Sequence, residues 1–114
     1  MILDILKGVS DLEWRGGIAS VYLIVEAKEV TDKSGYSEYI RKVPKTIEKF
    51  GGKYLARGGK LAVASGDWKP ARIIIVEFDS MEKFQAWWNS TEYRAIAPLR
   101  ELSTKTNAIV VEGI

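Results

Sequence analysis

Three stretches of the chain are apolar at nearly every position, whichever set of alternate residues is followed. Val21-Tyr-Leu-Ile-Val25, Ile73-Ile-Ile-Val76 and Ala108-Ile-Val-Val111 are rich in β-branched residues, as buried strands are. They predict strands over Ala19–Ala27, Ala71–Phe78 and Asn107–Glu112. A further strand is expected from Lys53 to about Ala64, with Gly58-Gly59 inside it marking a bulge or a close backbone approach. Ser65-Gly-Asp-Trp-Lys-Pro70 has turn chemistry and would join that strand to the next as a hairpin.

Between the strands the apolar period changes from two to three and four. Tyr36, Tyr39, Ile40, Val43, Ile47 and Phe50 form one helical stripe, with Asp32 placed to cap it and Gly51-Gly52 to end it. Pro44 predicts a bend or an early end, because an interior proline costs about 3 kcal/mol. Ser80 is placed to cap a helix with Phe84, Trp87 and Trp88 inward. Ser90 caps a shorter one with Tyr93, Ile96 and Ala97 inward and Pro98 ending or bending it. The resulting order, β-α-β-β-α-β, is that of an α+β, ferredoxin-like fold: a four-stranded antiparallel sheet with helices on one face. It fills a single domain over residues 18–114. Residues 1–17 stand outside as an extension, read either as a short amphipathic helix on Ile2, Leu3, Leu6 and Val9 or as a loosely packed segment.

A sheet covered on one side only should alternate apolar with polar residues. These strands do not, and no spare element is large enough to cover the second face. The expected cover is a second copy of the same sheet, because a twofold homodimer lets one patch serve both partners. The duller alternative is partial cover by residues 1–17.

Composition narrows the chemistry. The chain has no His and no Cys, which excludes disulfides, Cys-based zinc sites, thiol nucleophiles and imidazole acid–base pairs. No metal site is expected, and no cofactor. A haem would lack its commonest axial ligand, and Gly58-Gly59 lacks the Lys-Ser/Thr ending of a phosphate loop. The net charge is only +2 with both signs interspersed, which argues against a nucleic-acid partner. An RNA-binding ferredoxin-like domain also needs exposed aromatic residues on its central strands, and that stacking signature is missing. Neither a leader nor an apolar run of about 20 residues is present, so no membrane partner is expected and the location expected is cytoplasmic.

The remaining candidates are carboxylates, phenols and guanidiniums. Arg57, beside two glycines, could hold a carboxylate or enolate bidentately while the bare backbone lets the ligand approach. Its plainer role is a cross-strand ion pair with Glu77, which the hairpin sets opposite it to within one residue. Glu77, in an apolar strand, is a candidate general base if burial raises its pKa, or simply the partner of that arginine. Arg100 is a second candidate anion clamp, or a solvated cation at a helix end. Trp88, Tyr93 and Tyr39 offer flat walls for a pocket. Trp87 is expected in the core, and Trp88 in either core or cleft.

Tyr22-Leu-Ile-Val, Tyr54-Leu-Ala-Arg-Gly-Gly59, Gly66-Asp-Trp68, Val76-Glu-Phe78, Ser90-Thr-Glu-Tyr93 and Pro98-Leu-Arg100 fall in the order and spacing of a known family. With the closing Val111-Glu-Gly113, the stretch from Ser20 to Ile114 resembles the domain of unknown function 1330 family. The resemblance implies a dimeric α+β barrel, in which two four-stranded sheets face each other across a twofold axis. The chain departs from the family in its 17-residue extension and in Thr91, where the family commonly has Pro. Proteins with the same barrel include cofactor-free monooxygenases, muconolactone isomerase and haem-dependent enzymes, an analogy at the level of fold. The expectation is a homodimer binding a small organic anion. Cofactor-independent turnover and a non-catalytic binding or regulatory role both stay open.

Overall fold

The computed structural model describes residues 19–114. The extension read from residues 1–17 therefore lies outside the described residues. The chain runs β1 (Val21–Val30), α1 (Lys33–Lys49), β2 (Lys53–Arg57), β3 (Ile73–Phe78), α2 (Met81–Trp88), α3 (Thr91–Ser103) and β4 (Thr104–Glu112). The strands form one antiparallel sheet in the order β2-β3-β1-β4, the ferredoxin-like arrangement.

The expected helix caps are present. Asp32 accepts from the Ser34 and Gly35 amides, Ser80 from Lys83 and Ser90 from Tyr93. Helix α1 ends as a Schellman motif: the Gly51 amide donates to the Glu48 carbonyl and the Gly52 amide to that of Ile47. Gly51 takes φ +79°, a value that suits glycine.

Neither internal proline brings the early end that was one of the two expectations. Helix α1 runs through Pro44 to Lys49, and α3 runs through Pro98 to Ser103. Pro44 cannot donate to the carbonyl four residues back, that of Ile40. The Arg57 guanidinium donates there instead, Nη2 to O at 2.9 Å. A side chain thus replaces the missing helix bond.

The strand ends differ too. Strand β2 stops at Arg57 rather than near Ala64, and β3 begins at Ile73 rather than Ala71. Gly58 at φ +72° turns the chain out of the sheet, after a last bond from its amide to the Ile73 carbonyl. What was expected as a short hairpin turn is a connection spanning residues 58–72. Strands β1 and β4 run further than expected, to Val30 and from Thr104.

Alternation sorts the sheet into two faces. Val21, Leu23, Val76 and Phe78 face the helices and pack with Val43, Ile47, Phe84, Trp87, Tyr93 and Ala97 as the core. Trp87 lies in that core as expected, its Nε1 donating to Thr46 Oγ1 at 2.9 Å. On the opposite face Ile75, Ile24 and Ile109 form a row across β3, β1 and β4, and no described helix covers them. Ile109 is 62% exposed.

Candidate functional site

The helices do not fill the whole of their side of the sheet. Toward the end where β3 begins, a cavity of about 70 Å³ remains between the sheet and α1, α2 and α3. A single water needs roughly 10–15 Å³ on the same measure, so the space suits a small organic molecule. Its floor is Leu23, Val25, Ile74 and Ala108, and its walls are largely Tyr36, Tyr39, Tyr54, Trp88 and Tyr93.

Five of the six candidate residues line this cavity: Tyr39, Arg57, Trp88, Tyr93 and Arg100. Glu77 does not. It lies on the other sheet face, beside Tyr22, whose hydroxyl donates to its Oε2 at 3.5 Å. The expected Arg57–Glu77 pairing is corrected by the register: Arg57 is opposite Ile74, and Glu77 opposite Lys53. The offset comes from the connection 58–72, which leaves the sheet at Gly58 instead of continuing a symmetric hairpin. A bulge between Tyr54 and Ala56, one extra residue in β2, then sets which face Arg57 takes. Three residues apart, Tyr54 and Arg57 would otherwise face opposite ways. The bulge turns both toward the helices, and the guanidinium stacks 4.8 Å from the Tyr54 ring centre.

A polar chain crosses the aromatic wall. The hydroxyls of Tyr39 and Tyr93 are hydrogen-bonded at 3.0 Å, and Arg100 Nε donates to Tyr93 Oη at 3.2 Å. Arg100 Nη1 reaches Thr106 Oγ1 at 3.0 Å, and Nη2 lies 3.7 Å from Glu101. Burial, reinforced by Tyr93, pushes the Tyr39 phenol well above its ordinary pKa. Tyr39 therefore keeps its proton and can donate it. Tyr54 is also raised, again chiefly by burial, with the nearby Arg57 and Arg72 opposing the rise. For Arg100, burial disfavours the cation. Tyr93, Tyr39 and Glu101 outweigh it, so its pKa is raised and the charge is secure.

Arg72 is the lining residue that sequence reasoning missed, together with Tyr36 and Tyr54. Its position two before Ile74 gives it the helix-facing parity, a signal that was present but depended on knowing where β3 starts. Three guanidiniums, those of Arg57, Arg72 and Arg100, thus line a cavity to which no described Asp or Glu contributes. Among the described residues no cluster of three or more Asp, Glu, His or Cys could hold a metal.

Residues 20–114 match the family described as domain of unknown function 1330. The chain belongs to that family. Its DUF1330 fold is similar to a protein of unknown function from Rhodopseudomonas palustris, at 16% identity and TM-score 0.69 over 85% of this chain and 84% of that one. An ethyl tert-butyl ether D (EthD) family protein from Bacillus halodurans aligns at 17% identity and TM-score 0.57, over 83% and 99% of the two chains. A Bacteroides thetaiotaomicron protein called a possible oxidoreductase aligns at 9% identity and TM-score 0.53, over 84% and 99%. At these identities the likeness is one of fold. No curated protein matches this DUF1330 chain.

Proposed function

We propose that this protein is a homodimer that binds a small organic anion in the cavity between its sheet and its helices. The observation that carries the reading is the lining itself: three guanidiniums with no described carboxylate among them, set in walls that are otherwise apolar and aromatic. Such a cavity favours a flat molecule carrying negative charge. The homodimer rests on the sheet face that no described element covers, where Ile109 and Val111 are 62% and 44% exposed beside Ile24 and Ile75. Leu61, Val63 and Trp68 on the connection 58–72 add further exposed apolar surface. The same proposal puts the dimer in the cytoplasm, in keeping with a cysteine-free chain and with described helices too short or too polar to cross a membrane.

Turnover divides two forms of this reading. As a cofactor-independent enzyme, the protein would hold an enolate or phenolate on its guanidiniums, with Tyr39 giving up a proton. The name of the Bacteroides neighbour, a possible oxidoreductase, belongs to that protein and is compatible with this form at the level of fold. The lining favours the second form, binding without turnover, because no described carboxylate in it can serve as a general base near neutral pH.

The test is a thermal-shift screen of the full chain against small carboxylic acids and phenols, with mass spectrometry of molecules that co-purify. At least one flat anion should raise the melting temperature, and the reading fails if none does. Incubating the best binder with the protein and following it by NMR separates the two forms: a new product means an enzyme, unchanged ligand a binding protein.

A further inference from the structure

The three guanidiniums of the cavity are not equally available. Arg100 already donates from Nε and Nη1, and its Nη2 faces Glu101. Arg57 substitutes for the helix bond that Pro44 cannot make and stacks on Tyr54. Arg72 makes no side-chain hydrogen bond and no ion pair among the described residues, and its Nε is buried without an acceptor. A buried donor without a partner is uncommon in folded proteins, because burial removes its water and gives nothing back.

Gly58 makes room for this arrangement. A Cβ there would lie 2.0 Å from Arg72 Nη1 and 2.6 Å from Cζ, so the guanidinium rests directly on bare backbone. With Nη1 nearest the glycine, the side-on edge formed by Nε and Nη2 is left for a carboxylate to take bidentately. The sheet supplies the ground beneath. The Arg72 carbonyl accepts from the Ala27 amide, and Ala27 pairs with Thr106, the partner of Arg100. Arg72 and Thr106 therefore stand at the two sides of one row, about two strand spacings or roughly 10 Å apart at the backbone, with the small Ala27 between them and Arg100 held on Thr106 from α3 above. A second buried donor without an acceptor, the indole N–H of Trp88, belongs to the wall on the Arg100 side, where Arg100 lies 5.9 Å from the ring centre.

We propose that Arg72, seated on Gly58, anchors the carboxylate of the ligand, and that Trp88 donates to a second oxygen on the ligand's body. The inference rests on the small-anion reading and makes it narrower: the ligand is a small aryl or unsaturated acid bearing a carbonyl or hydroxyl acceptor. Arg57 and Arg100 then shape the field of the site, and Arg72 holds the charge.

The experiment is calorimetric titration of the full-length protein with benzoate, phenylglyoxylate and the neutral acetophenone. Wild type should bind phenylglyoxylate most tightly and acetophenone least. Arg72→Gln should weaken both carboxylates ten- to a hundredfold and leave acetophenone unchanged, with Arg72→Lys in between. Trp88→Phe should remove the preference for phenylglyoxylate over benzoate. Gly58→Ala, which pushes the guanidinium off its seat, should reproduce the selective loss even if Arg72→Gln folds poorly. A general loosening of the cavity would instead weaken all three compounds alike and would overturn the assignment of Arg72. It is also overturned if Arg72→Gln binds carboxylates as wild type does. If wild type binds none of the carboxylates, the functional reading itself fails.

Discussion

Ile109→Lys tests the proposed pairing of sheet faces with little disturbance to the subunit. Ile109 projects from the side of β4 that faces away from the helices and is 62% exposed, so its own core does not need it. Fully burying an isoleucine side chain contributes roughly 1.5–3 kcal/mol, and covering the exposed share here is worth about 1–2 kcal/mol. A twofold dimer counts each substitution twice, giving about 2–4 kcal/mol. At 1.4 kcal/mol per tenfold, Ile109→Ala should weaken the dimer roughly 30- to 700-fold. Ile109→Lys adds the cost of desolvating two ammonium groups and should yield a folded monomer at micromolar concentration. Sedimentation equilibrium reads the mass, about twice 12.8 kDa for wild type and near 12.8 kDa for the lysine variant, while circular dichroism checks the fold. Leu23→Asp is the contrast: Leu23 is 3% exposed in the helix-side core, so that variant should unfold rather than dissociate. A wild type that sediments as a soluble monomer at tens of micromolar would refute the argument, as would a lysine variant that pairs with unchanged affinity.

Pro44→Ala returns an amide donor to the Ile40 carbonyl and should stabilise the fold by about 1–2 kcal/mol in urea titrations, since proline costs up to about 3 kcal/mol in a helix interior. An unchanged or lowered midpoint would mean that Arg57 fully replaces the helix bond. Gly52→Ala would place a Cβ 2.5 Å from Ile47 Cγ2 and 2.8 Å from Phe78 Cε1, and it should destabilise by about 1–3 kcal/mol, read from the same titration. Tyr39 has a folded pKa raised above its ordinary value of 10.0, so its share of stability is complete below that pH and is lost as pH rises through the folded value. Denaturation measured from pH 8 to 11 should therefore fall more steeply for wild type than for Tyr39→Phe, and parallel curves would contradict the buried, protonated phenol.

What could be read from the sequence follows from how local each cause is. The caps Asp32, Ser80 and Ser90 act within three residues of themselves, so composition reveals them. The stripe of Tyr36, Tyr39 and Val43 was legible because these residues share a helical face whatever they pack against, although of the two tyrosines only Tyr39 was read as part of the wall. Arg57 was recognised, but its partners were not. A single extra residue in β2 reverses its parity, and the carbonyl it serves is exposed by a proline far along another element. Glu77 was set in the site through its expected pairing with Arg57, but it lies between the core residues Val76 and Phe78 and so projects from the opposite face of β3. Arg72 went unseen because its role depends on a strand start and on a glycine cradle, neither of which has a periodic signature.

The central claim is that a small organic anion enters the cavity between sheet and helices, and the indole N–H signals of the protein can report it residue by residue. The chain has four tryptophans, of which Trp88 lines the cavity, Trp87 is in the core and Trp68 is exposed on the connection 58–72. In ¹H–¹⁵N spectra of the labelled full-length protein titrated with phenylglyoxylate, the Trp88 indole signal should shift saturably, together with the guanidinium signals of the cavity arginines, while that of Trp68 stays in place. Spectra that do not change at saturating acid, or that change only at Trp68 and on the open sheet face around Ile109, would contradict the account.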